Sequence, residues 1–149
     1  MRLPLIAAAL FLTANAAGAA DGLVTVRSAH SPKETLDRFE AVAKSKGMKI
    51  FARIDHAAGA KSIGQELRPT ELVIFGNPQG GTPLMQCAQS AGIDLPLKAL
   101  AWQDASGQSW LAYNDPAWLA ARHSAGECGG VAAKMRGALD AFAKQATGK

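Results

Sequence analysis

The 149-residue chain is short of the features that usually declare a function. Two cysteines, Cys87 and Cys128, are all it has. They form no Cys-x-x-Cys, which excludes a thioredoxin-like catalytic pair, and no Cys-x-x-Cys-His, which excludes covalent haem attachment. There is no run of four or more basic residues, and the formal charge of +4 is scattered along the chain. Backbone binding to nucleic acid needs a concentrated basic face, and single-strand binding adds stacked aromatics, so no nucleic-acid partner is expected. No Lys-Ser/Thr pair follows the second glycine of Gly76-Asn77-Pro78-Gln79-Gly80-Gly81-Thr82, which disfavours a nucleotide-hydrolysing P-loop. A Gly-x-Ser-x-Gly elbow, a His-x-x-x-His spacing, an internal repeat and a low-complexity linker are also missing.

What is present begins with an export signature. Arg2, the apolar run Leu3 to Leu12 and the small residues Ala17-Gly18-Ala19-Ala20 follow the order of a cleaved secretory signal. The run is too short to span a bilayer comfortably. Residues 1–20 are therefore expected to be a signal peptide cleaved near Ala19 to Ala20, and 21–149 a single domain, periplasmic or secreted, without stable membrane insertion. Roughly 130 residues suffice to bury a core. Export favours a structural disulfide between Cys87 and Cys128, with metal ligation or a free redox pair as the alternatives.

The periodicities alternate between strands and helices. Leu23 to Ser28 reads as a strand, and Ser31-Pro32-Lys33-Glu34 as a helix start with Ser31 as N-cap and Glu34 closing a capping box. Leu36, Phe39, Val42 and Ala43 form its apolar face, and Gly47 stops it. Strands follow at Met48 to Ile54 and Leu72 to Phe75, the latter an apolar run expected to be central and buried on both faces. The next helix is expected to start at Thr82-Pro83 and stop near Gly92. Leu97 to Gln103 and Ser109 to Tyr113 read as a hairpin. A helix capped by Asn114 or Asp115 and a last helix with Val131, Met135, Ala138 and Phe142 on one face complete the chain, leaving Thr147-Gly148-Lys149 as a frayed tail. The expected fold is α+β, a single layer of helices on a mixed or mostly antiparallel sheet.

Five ordered motifs carry a resemblance: Arg53-Ile54-Asp55-His56, Phe75-Gly76-Asn77-Pro78-Gln79-Gly80-Gly81-Thr82-Pro83-Leu84-Met85, Asp94-Leu95-Pro96-Leu97-Lys98, Tyr113-Asn114-Asp115-Pro116 and Arg122-His123. From about Val24 to His123 the chain resembles the domain of unknown function family 302. The resemblance implies a compact domain with no agreed activity, and the cysteine pair looks like that of exported members.

Three of these motifs hold the candidate chemistry. His56 and His123, with Asp55 or Glu127, would suit a divalent metal if the fold brought them together. The same His56 could serve as a general base with Asp55 as orienter. The structural alternative has Asp55 capping the segment after it and His123 complementing a helix C-terminus. The second candidate, Asn77, Gly80, Gly81 and Thr82, would present backbone N–H groups at a helix start to an anion, or else fix the loop through the Asn77 side chain. Trp102, Trp110, Tyr113 and Trp118 read as core or a half-buried sheet face; outward-facing tryptophans would instead mark a homodimer or partner surface. The favoured reading is a non-catalytic exported module binding a small ligand or metal ion. An enzyme using His56 and a structural protein that dimerises are the alternatives.

Overall fold

A computed structural model describes residues 21–126 and 128–148, so the expected signal peptide and Glu127 lie outside the described residues. Five strands form one antiparallel sheet in the order β1-β5-β4-β3-β2. They are β1 (Leu23–Ser28), β2 (Lys49–Asp55), β3 (Thr70–Gly76), β4 (Leu97–Gln103) and β5 (Ser109–Asn114). The helices are α1 (Pro32–Ser45), α2 (His56–Ser62), α3 (Pro78–Cys87), α4 (Pro116–Arg122) and α5 (Val131–Thr147), with a short 3-10 turn at Gln89–Ile93. The α+β class is as the periodicity implied, and the sheet is antiparallel throughout.

Alternation along the strands selects the face that carries the core. Val73 and Phe75 of β3, Leu97, Ala99 and Ala101 of β4, and Leu111 and Tyr113 of β5 are all buried and point the same way. Against them pack Leu36, Phe39 and Ala43 of α1 and Leu139, Phe142, Ala143 and Ala146 of α5. Phe39 sets its ring edge-on to Phe75 and Phe142, at centroid distances of 5.0 and 6.0 Å. The opposite face carries half-buried Leu72, Ile74, Leu100, Trp102 and Trp110. The run Leu72 to Phe75 lies inside the sheet, between β2 and β4, but is not buried on both sides: only alternate residues of β3 reach the core.

Several local expectations shift. Ser31 caps α1 by accepting from the Glu34 N–H, but the Glu34 carboxylate turns to the His30 ring (3.0 Å) instead of closing the box. The helix expected at Thr82-Pro83 starts five residues earlier: Asn77 is its N-cap, accepting from the Gly80 N–H (3.1 Å), and Pro83 lies inside it. Gly47 ends α1 with φ +77°, where left-handed backbone favours glycine. The tail is held up to Gly148, because the Thr147 carbonyl accepts from the Ala29 N–H (3.0 Å) and the Gly148 carbonyl from the His30 ring (2.6 Å).

Candidate functional site

The strand register sorts the motifs to opposite ends of the sheet. Asp55 pairs with Glu71 at one end of β2, and Lys49 pairs with Gly76 at the other, about 20 Å away for seven residues at ~3.3 Å each. Asp55-His56 therefore sits at one end. The Gly76 loop, Asp94 and His123 cluster at the other, where β3 ends and β4 begins. No cleft joins His56 to His123, and the metal pair expected from sequence is not assembled. Among the described residues no group of three His, Cys, Asp or Glu side chains could hold a metal ion.

At the first end the charged groups answer one another. Asp55 caps α2, accepting from the Ala58 N–H at 2.9 Å, and His56 is the exposed first residue of that helix. Arg53 reaches from β2 to Glu71 (2.7 Å), to Asp37 and Glu40 of α1, and to the Lys33 carbonyl (3.0 Å). Burial alone would lower the Arg53 pKa, but hydrogen bonds to Asp37 and Glu71 outweigh it and raise the pKa above its ordinary value. Asp37 is shifted below the usual carboxylate value, chiefly by its hydrogen bond to Lys33.

The second end holds a cavity of about 310 Å³. Asn77, Gly80, Gly81, Thr82 and Met85 of α3 and its cap form one wall. Met48 and Phe51 of the β2 edge, Leu95 and Pro96 of the bend before β4, and Met135, Ala138 and Phe142 of α5 form the others. Its volume falls at the lower end of the ~300–1,000 Å³ common for small-molecule sites. Glycine shapes one wall: a Cβ on Gly92 would meet the Met85 sulfur at 3.4 Å, so that sulfur would have to give way slightly. Three of the four methionines in the chain line this one space. Unbranched, polarizable thioethers fill irregular gaps and repack around different shapes.

An anion fits this space poorly. The Asn77 amide oxygen already takes the Gly80 N–H that a ligand would need, and most of the lining is apolar. Sequence reasoning placed Asn77, Gly80, Gly81 and Thr82 at a site but missed Met48, Met85, Leu95, Met135 and Ala138. The methionine count was the one available signal.

Two covalent or polar ties frame the cavity. Cys87 at the end of α3 is disulfide-bonded to Cys128, with Cα atoms 6.1 Å apart. His123, the C-cap of α4, holds Asp94 Oδ2 through Nε2 at 2.6 Å and faces Ser90 Oγ through Nδ1 at 3.0 Å. The left-handed turn directly after it falls on Ser124 (φ 56°), a place usually given to glycine. Tyr113, also in a motif, is a core residue whose hydroxyl donates to Asp140; burial first and that bond second hold its pKa well above the tyrosine range. Trp102 and Trp110 stack at 6.5 Å on the half-buried sheet face, and Trp110 donates to Asp104 at 2.7 Å.

Comparison with known proteins gives a family without an activity. Residues 24–142 match the family described as "Domain of unknown function DUF302". The crystal structure of an uncharacterized conserved DUF302 protein from Bacillus stearothermophilus superposes with a TM-score of 0.77, at 20% identity, covering 85% of this chain and 99% of that one. Over 113 residues the chain is 61% identical to a Brucella suis biovar 1 protein named fluoride-specific ion channel FluC 1, covering 76% of this chain and 44% of the relative. Over the same number of residues it is 61% identical to a Brucella melitensis biotype 1 protein named FluC 2, covering 42% of that relative. The chain thus spans less than half the length of these curated relatives.

Proposed function

Since the chain belongs to the DUF302 family, whose description carries no reaction, we propose from the geometry that it is an exported module binding a small, largely apolar molecule between α3, α5 and the bend before β4. The observation that carries this reading is the cavity of about 310 Å³ lined by Met48, Met85 and Met135. Buried apolar room that the protein leaves unfilled forgoes packing contacts, whereas a ligand that fills it regains them. The signal-like residues 1–20 and the Cys87–Cys128 disulfide support export.

The test is titration of the mature protein with N-phenyl-1-naphthylamine, an uncharged apolar fluorophore, read by fluorescence. Saturable enhancement is expected for wild type, with at least tenfold weaker binding for Ala138→Phe, which fills the cavity from α5. Equal binding by that variant, its circular dichroism unchanged, would end the reading.

The identity to part of proteins named fluoride channels favours a second reading, in which the domain works beside such a channel. Among the described residues no helix is long and apolar enough to cross a membrane, so on this reading conduction lies outside them. Growth of a deletion strain in graded sodium fluoride tests it: added sensitivity reversed by the gene supports the reading, and unchanged tolerance removes it.

A further inference from the structure

The cluster Ser90, His123 and Asp94 has the connectivity of an activated nucleophile. Asp94 as a carboxylate only accepts, so the 2.6 Å contact assigns the proton to His123 Nε2. When the ring is neutral Nδ1 then carries the lone pair, and it faces the Ser90 hydroxyl at 3.0 Å, so Ser90 donates to it. A nucleophile bonded to a base, with the base oriented by a third group, is the arrangement that acyl-transfer sites need. The ring nitrogens are exchanged relative to the familiar serine hydrolase order, but the logic needs only a lone pair toward the hydroxyl and an N–H toward the carboxylate.

Exposure divides the roles in the same way. The His123 side chain is only 8% exposed and that of Asp94 15%, while Ser90 lies open to solvent. Arg122 holds the second Asp94 oxygen at 3.2 Å and spans the Trp118 ring, fixing the carboxylate in place. Gly92 and Leu95, on the same short segment as Ser90 and Asp94, line the apolar cavity, which gives an acyl chain somewhere to lie.

We propose that Ser90 is a nucleophile activated by His123 and Asp94, acting on small apolar carboxylic esters whose acyl group enters the cavity. For its acyl specificity this rests on the binding reading given above. Ser90 Oγ attacks the ester carbonyl carbon and its proton passes to His123 Nδ1. The carbon–alkoxy bond breaks, and the alcohol leaves with that proton. Water, deprotonated by the same nitrogen, then attacks the acyl carbon, releasing the carboxylic acid and restoring the Ser90 hydroxyl.

The experiment is reaction of the disulfide-bonded mature protein with diisopropyl fluorophosphate, followed by intact and peptide mass spectrometry. The reagent is compact and needs no cavity, so the outcome is independent of whether the apolar probe binds. One adduct per chain on Ser90 is expected, none in Ser90→Ala, and at least a tenfold slower reaction in His123→Gln and in Asp94→Asn. Hydrolysis of p-nitrophenyl butyrate should show the same ranking. No adduct, an adduct elsewhere, or equal rates in the His123 and Asp94 variants with unchanged melting temperatures would overturn the assignment. Ester hydrolysis that persists in Ala138→Phe while butyrate loses its advantage over acetate would support the cavity as the acyl site.

Discussion

The two ends of the sheet solve different problems with different residues. At the end where β2 meets α2, charge is abundant and fully engaged: Arg53 is shared among Glu71, Asp37 and Glu40, and Asp55 is committed to capping α2. At the end where β3 meets α3, charge is confined to the Asp94, Arg122 and His123 cluster, and the cavity beside it is lined mostly by apolar side chains and glycine, with room remaining. Arg53 and Asp55 sit in a motif and attract a functional reading, yet their bonding capacity is used up by the fold. Unfilled room lies instead at the other end, where methionine and glycine line the cavity.

The largest test breaks the apolar end. The Cys87–Cys128 disulfide closes a loop of sequence separation 41, which the chain-entropy account values at about 4 kcal/mol. Cys87→Ser with Cys128→Ser is expected to lower stability in urea by that order and to weaken probe binding, because α3 loses its covalent tie beside the cavity. Unchanged probe affinity would show that α3 keeps its place by packing alone.

The next breaks the charged end. Arg53→Met leaves Glu71, Glu40 and Asp37 facing each other without their cation, and a loss of about 2 kcal/mol is expected in thermal melts. Probe binding should be untouched, and a matching loss of affinity would erase the contrast between the ends.

A smaller effect separates two adjacent residues of one motif. Asp55→Ala removes the α2 N-cap and should cost about 1 kcal/mol, whereas His56→Ala, at an exposed position, should stay within about 0.5 kcal/mol. Equal losses would show that His56 has a structural partner in solution.

The smallest is a pH effect at the charged end. Asp104 accepts from the Ser106 hydroxyl, the Trp110 ring and the Ser106 and Gln108 N–H groups, and its pKa falls to about 2 from an ordinary 3.8. A depressed folded pKa contributes stability that is present above the unfolded value and lost as pH falls through the folded one. Wild type should therefore lose stability between about pH 4 and pH 2, and Asp104→Asn should lack that part of the loss in acid melts.

The elements were largely legible because their signals are local. Ser31, Gly47 and Asp115 mark helix ends through bonds within a few residues, and alternation marks the hairpin of β4 and β5. The start of α3 was misread because two glycines and a proline look like a breaker, each costing helix propensity. That helix stands because Asn77 caps it, Leu84 is fully buried and Cys87 is tied to Cys128. The candidate site was hidden for the opposite reason. Its walls come from segments far apart in sequence, and His123 meets Asp94 and Ser90 across 29 and 33 positions. Nothing in local spacing announces such a meeting.

The first strand has a consequence for how the chain is assembled. β1 pairs only with β5, joining Leu23 to Asn114, and the residue after β1 receives its backbone partner from Thr147 at the far terminus. A chain emerging from its N-terminus therefore carries an unpaired sheet edge until nearly all of it has been made. Contacts of such sequence separation are slow to close. The sheet edge at β1 and the Ala29–Thr147 bond therefore close only once β5 and α5 are both present.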